Sequence, residues 1–172
     1  MTSAKWSLQM VAPLEPGIVC VRIENMLYFY AEILGLEKVS DAEATPEMSA
    51  GFEAAPCGYR IIRLQTPYGE RIKLVQTNGL EKISREPTRW TFERCGLAYI
   101  TFIVADVDEV AARLRAHGVR FVNREPMEVR KGFRALFVCD PEGNYLEFVQ
   151  YADLATYRPD LADRTAIPGE AK

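Results

Sequence analysis

The sequence predicts an α+β chain in which one strand–helix–strands unit is used twice. The first observation is a repeat. Residues 67–76 (PYGERIKLVQ) return as residues 141–150 (PEGNYLEFVQ), with Pro, Gly, Val and Gln at matching places and Ile72/Leu146 and Leu74/Phe148 like for like. A turn that opens an apolar-alternating strand, used twice, marks two copies of one supersecondary unit. The second observation is a helix with a start and a stop in the C-terminal half, between runs that read as strands. The third is the same order of signals in the N-terminal half.

The C-terminal copy is the clearer. Residues 97–104 (LAYITFIV) form an apolar-rich, partly alternating run and read as a strand. Asp106 then offers an N-cap, with Glu109 three residues on as its capping-box partner. Val107, Val110, Ala111 and Leu114 fall on one helical face, and Gly118 supplies a left-handed stop. Residues 119–122 continue extended. Residues 133–139 (FRALFVC) make a strand, and the turn at 140–144 returns it as 145–151.

In the N-terminal copy residues 18–23 (IVCVRI) are the strand and Asn25 the expected cap. Met26, Phe29, Tyr30, Ile33 and Leu34 form the apolar face, ended by Gly35. The cap-to-glycine spacing makes this helix about half a turn shorter than its copy. The polar stretch 41–56 reads as a longer loop. Residues 59–65 and 71–76 close the unit as a hairpin around Pro67 and Gly69. The modules are thus 17–77 and 96–151, with a linker at 78–95 and tails at 1–16 and 152–172. Trp90 and Phe92 of the linker are expected to pack on the core, and the polar tail from Ala152 to be partly disordered.

Composition narrows the function. A chain of 172 residues with net charge −3 has no basic footprint for nucleic acid. No apolar run is long enough to span a bilayer, and residues 1–17 lack the design of a signal peptide, so a cytoplasmic protein is expected. The cysteines at 20, 57, 95 and 139 lie far apart and read as reduced, mostly buried thiols.

Three segments carry a family resemblance: FYAEILGLE at 29–37, ADVDEVAARLRAHGVRF at 105–121 and DPEGNYLEFVQ at 140–150. With them the chain resembles the vicinal oxygen chelate superfamily, the glyoxalase, bleomycin-resistance and extradiol-dioxygenase group. The resemblance implies two βαβββ modules forming a curved mixed sheet with a central cleft, commonly in a dimer. Enzymes of that group hold a divalent metal with one residue from the first and one from the last strand of each module. Carried onto this sequence, Glu147 takes the last-strand position of the second module and Tyr99 the first-strand position. In the first module the places fall at about Ile18 and Lys73.

That set lacks imidazole, which zinc, nickel and dioxygenase iron favour. The single histidine, His117, sits at a helix C-terminus, where its charge suits the dipole. A Lys ammonium repels a divalent cation and offers no lone pair. No metal and no cofactor are therefore expected. If the family geometry holds, Lys73 and Glu147 face one another with Tyr99 nearby. One reading is a buried ion pair in the old metal place. The other makes Lys73 and Arg22, the latter placed by two-residue steps from Ile18 through Cys20, a cationic lobe for a ligand's anionic group, with Glu147 and Tyr99 moving protons. Cys20 on that face reads as packing.

The function expected is a metal-independent isomerase or lyase acting on an anionic, carboxylate or phenolic, small molecule. The alternatives are a non-catalytic, ligand-sequestering protein like the bleomycin-resistance branch, or a metalloenzyme with relocated ligands. Expected partners are a small-molecule ligand and a second copy of the chain, with neither nucleic acid nor membrane.

Overall fold

The computed structural model describes residues 8–81, 90–93 and 95–161. Two mixed sheets build the chain, each with a parallel edge strand. The first has the order β1 (Gly17–Val19), β4 (Arg71–Thr77), β3 (Tyr59–Gln65), β2 (Glu37–Ala44), and β1 runs parallel to β4. The second runs β5 (Tyr99–Ile103), β9 (Tyr145–Tyr151), β8 (Phe133–Cys139), β6 (Arg120–Phe121), with β7 (Met127–Arg130) also pairing β8. Here β5 is parallel to β9, so each sheet repeats the other's topology.

The helix that follows the first strand obeys local chemistry in one module and not in the other. Helix α3 (Val107–Ala116) begins at Asp106, whose carboxylate accepts from the backbone N–H of Asp108 at 2.8 Å and Glu109 at 3.2 Å. It stops before Gly118, which adopts φ +67. Helix α1 (Ile23–Leu27) starts two residues before the expected cap and continues as a π-helical stretch, Tyr28–Ile33. Asn25 lies inside it, and Arg22 at the N-cap makes no side-chain capping bond. The acceptor comes instead from the other module: the Glu142 carboxylate takes the N–H of Val21 at 2.9 Å and of Arg22 at 2.7 Å. The first helix is therefore not shortened, and its wide turn closes with Leu34 N–H donating to Phe29 C=O at 3.0 Å.

Two other expectations change. The stretch 41–56 is not one long loop. Strand β2 runs through Ala44, and α2 (Pro46–Ala50) follows, capped by Thr45 accepting from Met48 N–H. Gly58 then adopts φ +77 where the backbone passes Ala44. Strand β7, bulged at Glu128/Arg130, has no counterpart in the sequence reading. Of the linker aromatics, Trp90 is exposed, whereas the exposed Phe92 ring lies 5.5 Å from that of Tyr99. Beyond Ala152, Asp153 caps α4 (Leu154–Tyr157), and residues 162–172, the rest of the tail expected to be disordered, lie outside the described residues.

Both modules feed one core. Ile23, Met26, Phe29, Tyr30 and Ile33 meet Val107, Ala111 and Leu114, and beneath them lie Ile62, Leu64, Ile72, Leu74, Leu136, Val138, Leu146 and Phe148. These strand residues alternate with Arg63, Arg71 and Lys73 in the first sheet and with Phe137, Tyr145 and Glu147 in the second, which therefore lie on the sheet faces turned away from the helices. Besides Glu142, two further side chains fix the modules against each other. Arg113 of α3 donates to the carbonyls of Ile33 at 2.5 Å and Glu32 at 2.8 Å, acceptors left open where the π-helical stretch ends. The buried Tyr30 hydroxyl donates to Asp140 at 3.1 Å. Burial pushes the Asp140 carboxyl up, partly offset by hydrogen bonds from Asn144, Glu142 and Tyr30. The Tyr30 hydroxyl is pushed up by its own burial and by the Asp140 charge.

Candidate functional site

Strand register decides which side chains share the helix-free faces. In the first sheet a lateral row crosses four strands: Gly17 is level with Lys73, Lys73 with Arg63, and Arg63 with Ser40. In the second sheet the matching row is Thr101, Glu147 and Phe137. Lys73 and Glu147 thus hold equivalent places in the repeat, as do Arg63 and Phe137. The first row is cationic and the second is a carboxylate beside an aromatic ring.

Neither charged residue is partnered as an ion-pair reading requires. The Glu147 carboxylate accepts from the Thr101 hydroxyl at 2.7 Å. Lys73 Nζ lies 3.8 Å from Glu15, which also reaches Arg71 at 3.7 Å. Among the described residues no ion pair joins Lys73 to Glu147, and a buried pair of these two is corrected accordingly. Around Glu147 the wall is aromatic. The Tyr99 ring lies 5.4 Å from Phe137, and Phe92 covers both, at 5.5 and 6.2 Å. Farther along the same face Tyr151 stacks on Tyr157 at 4.0 Å. Burial, then the Tyr157 hydroxyl, pushes the Tyr151 phenol up to about 12, and the Glu147 charge adds to the rise.

Register adds the direct first-strand neighbours of Glu147 and Lys73 to the positions carried over from the resemblance. Thr101, not Tyr99, stands beside Glu147, and Tyr99 is level with Tyr145 on the same face. Gly17, not Ile18, stands beside Lys73. This one-residue slip flips the face: Ile18 packs on the core and Cys20 is wholly buried, so that alternation leads inward. Arg22 is consequently not on a strand face with Lys73. It lies beyond β1 and lines a pocket of about 910 Å³ shared by Gly17, Ile18 and Val19 on one side and Tyr99, Ile100 and Tyr145 on the other. The edge strands β1 and β5, one from each module, thus border one pocket. A second pocket of about 990 Å³ lies behind the β8–β9 turn and contains His117, Arg120 and Cys139 but none of the four expected site residues. His117 is engaged there with the Arg113 carbonyl, 3.0 Å from Nδ1.

A model of the glyoxalase/bleomycin resistance protein/dioxygenase superfamily matches residues 10–148. The chain belongs to this superfamily. Solved structures agree on the fold. A glyoxalase family protein from Bacillus cereus is similar with a TM-score of 0.73 at 22% identity, covering 86% of this chain and 99% of its own. Trypanothione-dependent glyoxalase I from Leishmania major gives 0.59 at 23%, covering 92% and 98%. A glyoxylase/bleomycin resistance protein/dioxygenase domain from Frankia sp. gives 0.61 at 18%, covering 84% and 93%. No curated protein matches the chain in sequence. At these identities the likeness speaks for the glyoxalase fold alone.

The metal that the glyoxalase-type resemblance implies does not fit the residues present. The places carried over from the resemblance, with the neighbours that register adds, hold the apolar Ile18, Gly17 with no side chain, Lys73, Tyr99, Thr101 and Glu147. One carboxylate, one phenol and one alcohol hydroxyl beside an ammonium make a poor donor set for a divalent ion. Among the described residues no cluster of three His, Cys, Asp or Glu forms an alternative site. Sequence reasoning missed Thr101, Arg63, Phe137 and Glu15. Alternation from Tyr99 reaches Thr101, and the repeat offset reaches the Arg63/Phe137 pair. Glu15 has no such signal, because it arrives from the chain ahead of β1.

Proposed function

We propose that this glyoxalase-fold protein binds an anionic small molecule and moves a proton on it without a metal ion. The observation that carries the reading is the division of labour between equivalent rows: Lys73 beside Arg63 in one module, Glu147 beside Thr101 in the other. Lys73 holds the ligand's anionic group, and the aromatic wall of Tyr99, Phe137 and Phe92 takes a planar body. Glu147, held by the Thr101 hydroxyl and free of a cationic partner among the described residues, is the general base. Tyr99, on the same face two residues before Thr101, is the acid that returns the proton. Arg22 lines the neighbouring pocket and attracts the anion at entry. Proton removal beside a carboxylate or phenolate, followed by return at another atom or loss of a leaving group, is isomerase or lyase chemistry.

Self-association belongs to the same proposal. The edge strands β1 and β5 and their approaches expose Val19, Val21, Leu97 and Ile103, and a second copy would cover them. Small-angle scattering at micromolar concentration should give the mass of a dimer, and a monomer contradicts this part.

The enzymatic reading is tested by solvent exchange. The protein is incubated in D2O with a panel of aromatic and aliphatic carboxylates, and carbon-bound deuterium is followed by NMR. Wild type should catalyse exchange next to the anionic group of a bound compound, and Glu147→Gln should abolish it while still binding that compound. The aromatic wall also suits a protein that only stores its ligand. Binding with no exchange in wild type supports that second reading and overturns the first.

A further inference from the structure

The cationic row has more charge than one carboxylate ligand needs. Lys73 and Arg63 are direct cross-strand neighbours, so their side chains project from the same face, and like charges placed so repel. Arg71, two residues before Lys73, adds a third cation to that face. Against these stands Glu15, and its contacts are loose: 3.7 Å to Arg71 and 3.8 Å to Lys73, beyond hydrogen-bonding distance. Arg71 is otherwise tied to Gln65 at 2.8 Å. Arg63 donates to the Ser40 hydroxyl at 3.3 Å and has no carboxylate partner among the described residues. Glu37, level with Gln65 on β2, forms no ion pair with any of the three among those residues.

Space is provided as well as charge. Gly17 flanks Lys73 on the side away from Arg63, and a Cβ built there would meet nothing within 4 Å. Its backbone is not in the left-handed region, so no turn or close approach requires glycine at this place. This notch is at Gly17, which lines the pocket that β1 shares with β5, whereas Lys73, Arg63 and Ser40 lie outside that lining.

We infer that the row Gly17–Lys73–Arg63–Ser40 is a subsite for a doubly charged oxyanion, with Arg63 as its chief donor. This deepens the proposed function, and rests on its premise that Lys73 meets the anionic end of the ligand. Two positive charges stand in excess of Glu15, which matches one phosphoryl group or a pair of adjacent carboxylates better than a single carboxylate. The Arg63 fork offers paired N–H groups, Lys73 a point charge and Ser40 a hydroxyl. Ligand oxygens at hydrogen-bonding distance replace the long contacts to Glu15, which swings away as a displaced counterion.

Calorimetric titration of the full chain with inorganic phosphate, malonate and benzoate tests this, in wild type and in Glu147→Gln. The second background separates the two ideas, since the subsite requires no proton transfer: loss of exchange chemistry with dianion binding retained leaves the subsite standing. Phosphate or malonate should bind more tightly than benzoate, and whichever is tighter identifies a phosphoryl or a dicarboxylate ligand. Arg63→Gln should weaken the dianion roughly tenfold to a hundredfold. It should also leave the melting temperature of the free protein unchanged or higher, because it removes repulsion. Gly17→Val, which fills the notch without a backbone clash, should weaken binding too. Equal affinity for benzoate, dianion binding that survives Arg63→Gln, or binding of none of the three at millimolar concentration overturns the inference.

Discussion

Replacing Lys73 by Met separates a ligand anchor from a structural ion pair. In the folded chain the Lys73 side chain is 31% exposed and its carboxylate neighbour, Glu15, lies 3.8 Å away. A pair of that kind contributes about 0–1 kcal/mol. Removing the ammonium also relieves its repulsion with Arg63 directly across the strand, worth about 0.2–1 kcal/mol in the opposite direction. The two effects nearly cancel, so Lys73→Met should change stability by less than about 1 kcal/mol, or about 2–4 °C in melting temperature at this chain length. A buried pair with Glu147 would behave otherwise. Stranding that carboxylate would cost about 3–5 kcal/mol, and Lys73→Met with Glu147→Leu would restore most of it. Urea denaturation of both single variants and the double variant reads the difference as a shift in midpoint at constant slope. A loss of about 3 kcal/mol or more in Lys73→Met, recovered in the double variant, would refute the reasoning. Anion binding should fall in Lys73→Met, and its persistence at wild-type strength would refute the anchor.

Two further predictions concern the frame that holds the site. Tyr30→Phe removes a donor to the buried Asp140 carboxylate and should cost about 1–3 kcal/mol at pH 7. Burial holds the Asp140 carboxyl above its ordinary value, so its contribution to stability is fullest below the unfolded value and is lost as pH rises through the folded one. Losing the Tyr30 donor raises the folded value further, so the cost should shrink as pH is lowered toward 4, and a cost independent of pH contradicts the assignment. Gly58→Ala places a Cβ 2.3 Å from the Ala44 carbonyl oxygen at φ +77. It should destabilise the chain by more than about 2 kcal/mol, and a melting temperature within a degree of wild type contradicts the close approach.

What the sequence made legible was local chemistry. Strands β3, β8 and β9 fall on the residues expected because alternation and the Pro–Gly turns fix both ends. Helix α3 does so because Asp106 and Gly118 act within their own segment. Helix α1 escaped because the acceptor at its start belongs to Glu142, 121 residues from Val21 along the chain. Nothing near Asn25 reports that contact. The site followed the same rule. Lys73 and Glu147 were found from the repeat, whose two copies differ in charge at that position. Their neighbours depend on register between β1 and β4 and between β5 and β9, parallel pairs whose alignment no turn dictates. A single-residue slip at Ile18 was enough to turn the expected face, and Arg22 with it, away from Lys73. Arg63 lay one strand over in an antiparallel pair, within reach of the repeat offset but outside any ligand pattern.

The most direct measurement is metal content of the purified, dialysed protein, wild type beside Glu147→Ala, by inductively coupled plasma mass spectrometry. Titration with zinc, nickel, manganese and ferrous iron completes it. With the Lys73 ammonium at one carried-over place and only Tyr99, Thr101 and Glu147 to offer oxygen, wild type should retain no stoichiometric divalent metal, and Glu147→Ala should not change its content. One equivalent of metal that survives dialysis in wild type and disappears in Glu147→Ala would contradict a metal-independent site.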